Sequence, residues 1–528
     1  MQLLIGEFLN IASKRTIRSK QKSSSIIKNE INVYFKSLRS IQLRIAVIFP
    51  NKYRIGMSNL AIKILYSLWN RFDQVYAERA FLPEESFTIP KSLETGTLLQ
   101  KFNVLAFTVQ FELDYTNILR MLKNSGIPLF RKDRIHGNYP LIIVGGTAVS
   151  ANPLVLSPFV DIIFIGEIEA AINDLTEGLF YRDFELLAKV DGVYLPSSPP
   201  KEIIYARIPD LNATYFPTNQ VRNTSDKNWQ EMQVLGGFLL QVSRGCNRGC
   251  KFCLIGKLTR GGANNPMRER SVEKLLELSL EGTNKTRVDK ISLIGSGIGD
   301  YSEMSNLLKS LNENKLKFSI PSIRADTDYS VIDEVVKNKQ NTITIAPEVG
   351  SDDLRFSLAK RITNSQFYEF ANYAKSSGIR SMKMYYIIGL PGQLDDEINH
   401  MIDFGKKMAV IFRQKRDLNI TVGYFIPKRQ TSFSQSFIDG KQIDQNEKQA
   451  KLLSNGLKKV ASLHMPSKNW SIIQIILSIG DESLAPYLVK VTETSGHFQD
   501  WVKVLKGDPV RFLEEMQKME LVIPLEIK

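Results

Sequence analysis

Two successive series of apolar runs, each run followed by a helical stretch, constrain this chain more than any other feature. The first series starts at residue 45 with IAVIFP and a helix over 58–72. It continues with VYAERAFLP, NVLAFTV, a helix over 114–125, LIIVGG, VDIIFIGE and a helix over 170–179. Near-continuous apolar strands belong in parallel sheets covered on both faces, so this part reads as a doubly wound, Rossmann-like α/β domain. Right-handed crossovers then bring the loops after the strands, 51–56, 110–114, 145–152 and 166–169, to one edge. The second series starts at Gly237 with FLLQVS, KISLIG, FSIPSI, TITIAP, MKMYYIIGLPG and ITVGYFIP, separated by helical stretches, and predicts a partial or complete (β/α) barrel. Between the two, the polar stretch with PSSPP at 196–200 is a connector, and beyond about residue 440 the pattern is mainly helical. The expected organisation is a basic N-terminal extension over 1–40, the doubly wound domain over 41–180, the connector over 181–236, the barrel over 237–440 and a helical C-terminal region over 441–528.

Composition narrows the function classes. A chain of 528 residues with 43% hydrophobic and 23% charged residues has ample material for a folded core, which argues against extensive disorder. The net charge of +14 suits an anionic partner such as RNA, a phospholipid surface or a phosphorylated substrate; a solvated basic surface explains it equally well. Three cysteines and four histidines exclude a disulfide framework and favour a reducing, cytoplasmic setting. The N-terminus has its apolar residues ahead of its charges, interrupted by Gly6 and Glu7, unlike a secretory signal, and no run reaches the roughly 20 apolar residues of a spanning helix. The basic residues of 1–40 leave peripheral contact with a membrane surface open.

All three cysteines fall in SRGCNRGCKFC: Cys246, Cys250 and Cys253. A loop this tight aims three thiolates at one centre. Three thiolates fill three corners of a 4Fe–4S cube and leave its fourth iron open for substrate or cofactor. Zinc is the alternative, but a structural zinc site takes four ligands, and the nearest histidines, His136 and His400, lie far away in sequence.

This spacing, with Phe252 before the last cysteine, resembles the signature of the radical S-adenosylmethionine superfamily. The resemblance implies that the open iron chelates the amino and carboxylate groups of S-adenosylmethionine. It also implies that an electron from the reduced cluster, supplied by a donor such as ferredoxin or flavodoxin, cleaves a carbon–sulfur bond to give a 5′-deoxyadenosyl radical. Further segments match in order. IGSGIGDY (294–301), with Gly295 and Gly297, stands where the family's glycine-rich segment meets the methionine amino group; it lacks the usual glutamate, which leaves backbone carbonyls or Asp300 for that contact. PSIRAD (321–326), APEVGSDDLR (346–355) and YYIIGLPG (385–392) resemble the next strand ends. There Ser322, Arg324, Glu348 and the backbone from Ile387 to Gly389 would hold the carboxylate, ribose and adenine.

A doubly wound domain ahead of such a barrel resembles the cobalamin-binding subclass, and LIIVGGTAVSANPLVLSPFVDIIFIGEIE (141–169) carries the likeness. The implied cofactor edge holds Asn51, Tyr53, Gly56, Gly145 and Gly146. Where cobalamin carriers place Asp-x-His-x-x-Gly, this chain has Asn51, Tyr53 and Gly56, so cobalamin would lack a histidine ligand there. Three functions compete. Resemblance to the tetraether-lipid cyclopentane-ring synthases implies hydrogen abstraction from an sp3 carbon of an archaeal membrane lipid and closure of a carbon–carbon bond. The alternative is a cobalamin-dependent C-methyltransferase acting on RNA, protein or a metabolite, although no basic-aromatic nucleic-acid module is visible. The third is an iron–sulfur binding or sensing protein without catalysis.

Overall fold

The computed structural model describes residues 26–224, 236–258, 267–519 and 526–527, so residues 1–25 of the expected basic extension lie outside the described residues. The chain is α/β and divides into two compact units. Among the described residues, one comprises those of 26–236, 284–287 and 473–527; the other comprises those of 237–283 and 288–472.

In the first unit, β1 (Leu43–Phe49), β2 (Val75–Phe81), β3 (Val104–Thr108), β4 (Leu141–Gly145), β5 (Ile162–Phe164) and β6 (Val193–Tyr194) form one sheet. The order is β2-β1-β3-β4-β5-β6, parallel except for β6. The winding reverses between β1 and β3, and in open α/β sheets the crevice outside the carboxyl ends of the strands at such a switch point is where ligands bind. The strands are almost wholly buried, which is why their sequences are mostly apolar, with Glu78 and Arg79 of β2 as buried charged exceptions; each fully buried Ile, Val, Leu or Phe contributes roughly 1.5–3 kcal/mol. The crossovers include α1 (Leu60–Asn70), capped by Asn59 Oδ1 accepting from the Ala61 N–H at 2.8 Å, α2 (Tyr115–Asn124) and α3 (Ile168–Tyr181). Part of the C-terminal region folds onto this unit. Asn152 Nδ2 donates to the carbonyls of Ser478 at 3.1 Å and Gly480 at 2.8 Å, and the helix Ala485–Thr492 packs against α2.

The second unit contains seven parallel strands in two sheets. β7 (Phe238–Gln241), β8 (Lys290–Ile294) and β9 (Lys317–Ser319) form one; β10 (Thr342–Glu348), β11 (Ser381–Ile388), β12 (Leu418–Tyr424) and β13 (Ser462–His464) form the other. The seam between β9 and β10 is stitched rather than laddered. The Ile323 N–H donates to the Thr344 carbonyl at 2.9 Å, and Gln340 bonds the Ile320 N–H at 3.1 Å and the Thr342 carbonyl at 2.9 Å. The helices are α4 (Val272–Thr286), α5 (Met304–Glu313), α6 (Ser330–Lys337), α7 (Asn364–Ser377), α8 (Asp395–Phe412) and α9 (Gly440–Leu457). α7 opens with a Thr363/Gln366 capping box and closes on Gly378 at φ +117°. α9 and β13 belong to this unit, so the stretch after residue 440 contributes to both units and includes a strand that its polar sequence conceals. Among the described residues no helix is long and apolar enough to cross a membrane.

Candidate active site

The cysteine loop follows β7. Ser243–Gly245 pairs antiparallel with Met267–Glu269, and the chain then turns through Gly245 at φ +96° and Gly249 at φ +70°, left-handed positions that favour glycine. The Cys253 N–H donates to the Cys250 carbonyl at 3.0 Å, closing the second half of the loop into a turn. All three cysteines are free and half-buried. Burial pushes the Cys250 thiol up to about 11, against a smaller pull from the Lys360 ammonium, and burial likewise raises Cys246. Thiols desolvated this way stay protonated until a metal cation displaces the proton. Three sulfurs on one loop suit a cluster whose irons take one sulfur each.

The glycine-rich segment after β8 lies against this loop. A Cβ at Gly297 would sit 3.6 Å from Cys246 Sγ, and one at Gly295 would sit 2.8 Å from Ser243 Oγ. Asp300 is engaged: Arg248, in the cysteine loop, reaches it at 2.6 Å, and Arg324, after β9, reaches it at 3.3 Å. Arg324 also holds Asp326 bidentately at 2.8 Å; burial works to raise the Asp326 carboxyl, but these bonds outweigh it and hold the group below its usual range. Ser322 is half-buried in the turn after β9.

Glu348 ends β10 at φ +65°, at a break in the β10–β11 register. Its Oε1 accepts from Lys360 Nζ at 2.8 Å, while its Oε2 is buried without a hydrogen-bond partner. Ser243 Oγ, also fully buried, has none either. The strand end at β11 is different. Gln393 Oε1 accepts from the Gly389 N–H at 2.6 Å, and its Nε2 donates to the Ile387 carbonyl at 3.0 Å, so this backbone is already occupied. Gly389 itself lies at φ +86° with Asn446 packed against it.

Sequence reasoning missed Ser243, Arg248, Lys360 and Gln393. Ser243 and Arg248 could have been found from their places in the cysteine segment; Lys360 and Gln393 carry no local signal.

At the strand-end edge of the first unit, polar groups are paired internally. Asn51 and Asn117 both donate to Asp114 Oδ1, at 2.9 and 3.1 Å. Burial drives the Asp114 carboxyl up to about 7 despite these bonds. Tyr53 lies in the short helical turn Tyr53–Gly56, and its hydroxyl donates to Glu30 at 2.5 Å; Glu30 is held by Arg79 at 2.6 Å, and Arg79 by Glu94 at 2.7 Å. Gly56 is filled by Phe81 and Phe49. Gly145 ends β4, and Gly146, at φ +114°, abuts the Val109 carbonyl; both are half-buried. Of the five residues expected at a cofactor edge, only this glycine pair is half-exposed, and its carbonyls accept from the Val109 and Ser150 N–H groups at 2.7 and 3.0 Å. Tyr115 adds a fully buried hydroxyl without a hydrogen-bond partner, beside Glu112, whose carboxylate accepts from Gln474 at 3.0 Å.

Residues 61–196 match the family model described as radical SAM proteins, N-terminal, and residues 240–405 match that of the radical SAM superfamily. The chain is 29% identical over 449 residues to an uncharacterized protein of Methanocaldococcus jannaschii, covering 84% of this chain and 90% of that one. It is 24% identical over 191 residues to the ribosomal protein uS12 methylthiotransferase RimO of Clostridium acetobutylicum, covering 34% of this chain and 42% of that protein. The fold is similar to that of the radical S-adenosylmethionine methyltransferase TsrM of Kitasatospora setae, solved with cobalamin and a 4Fe–4S cluster, at TM-score 0.53 and 11% identity, over 89% of this chain and 99% of that one.

Proposed function

This chain belongs to the radical S-adenosylmethionine superfamily, and from that premise we propose that it is an enzyme that activates an unactivated sp3 C–H bond and builds a carbon–carbon bond there, by cobalamin-dependent methyl transfer. The observation that carries the reading is the cysteine loop. Cys246, Cys250 and Cys253 would hold a 4Fe–4S cluster, and the unpaired Ser243 Oγ and Glu348 Oε2 beside them are hydrogen-bonding capacity left for a bound molecule. The cluster, when bound, supplies the electron that cleaves S-adenosylmethionine to a 5′-deoxyadenosyl radical. In this reading Gly295 and Gly297 let backbone approach the methionine end, while Arg324, with Ser322, orients its carboxylate. Glu348 Oε2 accepts from the ribose. With Gln393 on the backbone of Ile387 and Gly389, the adenine is left to the outward face of that strand end. Asp300, held between two arginines, braces the cysteine loop.

Cobalamin, when bound at the β1/β3 switch point, supplies the methyl group. The β2-β1-β3-β4-β5 order and the likeness to TsrM support that assignment, with Gly145 and Gly146 as the backbone approach. Asn51, Tyr53 and Gly56 then shape the edge from behind, since their own groups are engaged.

Ring closure in an archaeal tetraether lipid is the second reading, favoured by the net charge of +14, which suits a phosphate-headed substrate and peripheral membrane contact. A reduced ferredoxin or flavodoxin in the cytoplasm is the electron donor in both readings. The test is to delete the gene in its host and compare lipid and modified-nucleoside profiles by mass. An absent methyl carbon supports methyl transfer, and lipids that retain two extra hydrogens at constant carbon count support ring closure. Unchanged lipids overturn ring closure, and methyl transfer is overturned when the protein and small-metabolite profiles, compared in the same way, also show no missing methyl carbon.

A further inference from the structure

We propose that Lys360 is the positioning residue that sets the cluster's reduction potential: its buried ammonium, pinned by Glu348, is the fixed countercharge beside the Cys250 sulfur. The inference rests on the cluster assignment above and concerns a residue outside the cysteine motif.

The chain around Lys360 is fixed independently of any ligand. Arg355, fully buried, donates to the carbonyls of Pro347 at 3.1 Å, Val349 at 2.8 Å and Ile362 at 3.1 Å, and pairs with Asp352 at 2.7 Å. The Lys360 N–H in turn donates to the Arg355 carbonyl at 3.0 Å. Two residues earlier, the Leu358 carbonyl accepts from the Lys251 N–H at 3.1 Å, which joins this segment to the cysteine loop next to Cys250. Lys360 is 9% exposed, and Nζ is held by Glu348 Oε1 at 2.8 Å. Its ammonium lies within electrostatic reach of Cys250.

A buried lysine is expensive to keep charged unless a nearby negative charge offsets its desolvation. Glu348 provides one such charge, and a cluster carrying three thiolates would provide more. The energetic consequence is directional. An electron added to the cluster arrives near a cation in a weakly screened interior, so Lys360 favours the reduced state and the Glu348 carboxylate opposes it. A purely structural ion pair would move stability and leave the potential alone.

The experiment is an EPR-monitored redox titration of the anaerobically reconstituted full chain, with iron and sulfide content measured on each sample. Lys360→Met with about four irons retained is expected to be reduced about tenfold less at a fixed solution potential, a one-electron shift of about 59 mV to more negative values. Lys360→Arg restores the wild-type titration, and Glu348→Gln moves it toward more positive values. Loaded Lys360→Met that titrates with the wild type overturns the inference while leaving the cluster assignment intact. A wild-type chain that takes up no cluster overturns both. Should Lys360→Met lose its irons, Glu348→Gln decides: a positive shift supports the inference and an unmoved potential overturns it.

Discussion

Both units end their parallel strands in a polar edge, and the two edges are built on opposite principles. In the first unit the edge is closed on itself: Asn51 and Asn117 serve Asp114, Tyr53 serves Glu30, and Arg79 is held between two carboxylates. In the second unit Glu348 Oε2 and Ser243 Oγ are left without partners at the strand ends, beside three thiols in no disulfide. A buried polar atom without a partner costs about 1–3 kcal/mol, so a fold keeps several in one place only when something else binds there. The comparison teaches that the barrel edge is prepared for direct ligation, whereas the first unit's edge offers shape and backbone, with the buried Tyr115 hydroxyl as its one similar atom among the described residues.

The largest effect expected from this difference is at the cysteines. Cys246→Ala, Cys250→Ala and Cys253→Ala should each abolish reductive cleavage of S-adenosylmethionine, measured as 5′-deoxyadenosine formed, with the fold retained by circular dichroism. Cleavage surviving in any one of them would break the comparison at its root. The closed edge should respond in the reverse sense. Arg79→Met leaves Glu30 and Glu94 buried without their cation, and breaking such a buried arrangement costs about 3–5 kcal/mol, to be read as a lower urea midpoint.

The pH dependence of the first unit sharpens the same point. Asp114, raised to about 7 by burial, keeps its proton in the folded state at pH values where the unfolded chain, with a carboxyl near 3.9, has lost it. Its contribution to stability is therefore complete below about pH 4 and declines as pH rises toward 7, by at most about 1.4 kcal/mol per pH unit. Asp114→Asn retains an acceptor for Asn51 and Asn117 and should flatten that slope. A urea-midpoint profile over pH 4–8 that is identical in wild type and variant would show that the carboxyl is ionised throughout.

Much of this architecture is legible in the sequence because parallel strands buried on both faces write themselves as unbroken apolar runs: IAVIFP, LIIVGG and ITVGYFIP all fall on strands. β13 is not legible, since Ser462–His464 is three half-buried residues with no apolar run. The cysteine loop is legible because its three sulfurs are local in sequence. The pairs that decide how each edge behaves are not: Asn51 and Asp114 are 63 residues apart, Arg248 and Asp300 are 52 apart, and nothing in either neighbourhood names the other. Lys360 looks like any surface lysine until the fold buries it against Glu348.

The smallest expected change in stability separates the two kinds of arginine. Arg79 is buried, whereas the Arg248 side chain is 42% exposed, so solvent screens its pair with Asp300 and Arg248→Ala should cost less than about 1 kcal/mol. The same substitution releases the cysteine loop from the segments after β8 and β9, because Arg248 is the loop's ionic contact with both Asp300 and Asp326. If that contact positions the loop, kcat/KM for cleavage should fall about tenfold, equivalent to about 1.4 kcal/mol at the transition state, with the urea midpoint nearly unchanged. Arg248→Lys, which keeps the charge but loses the bidentate geometry, should recover only part of it. A midpoint that falls in step with the rate would instead make Arg248 a second Arg79, and the barrel edge would then be held together by the same means as the closed one.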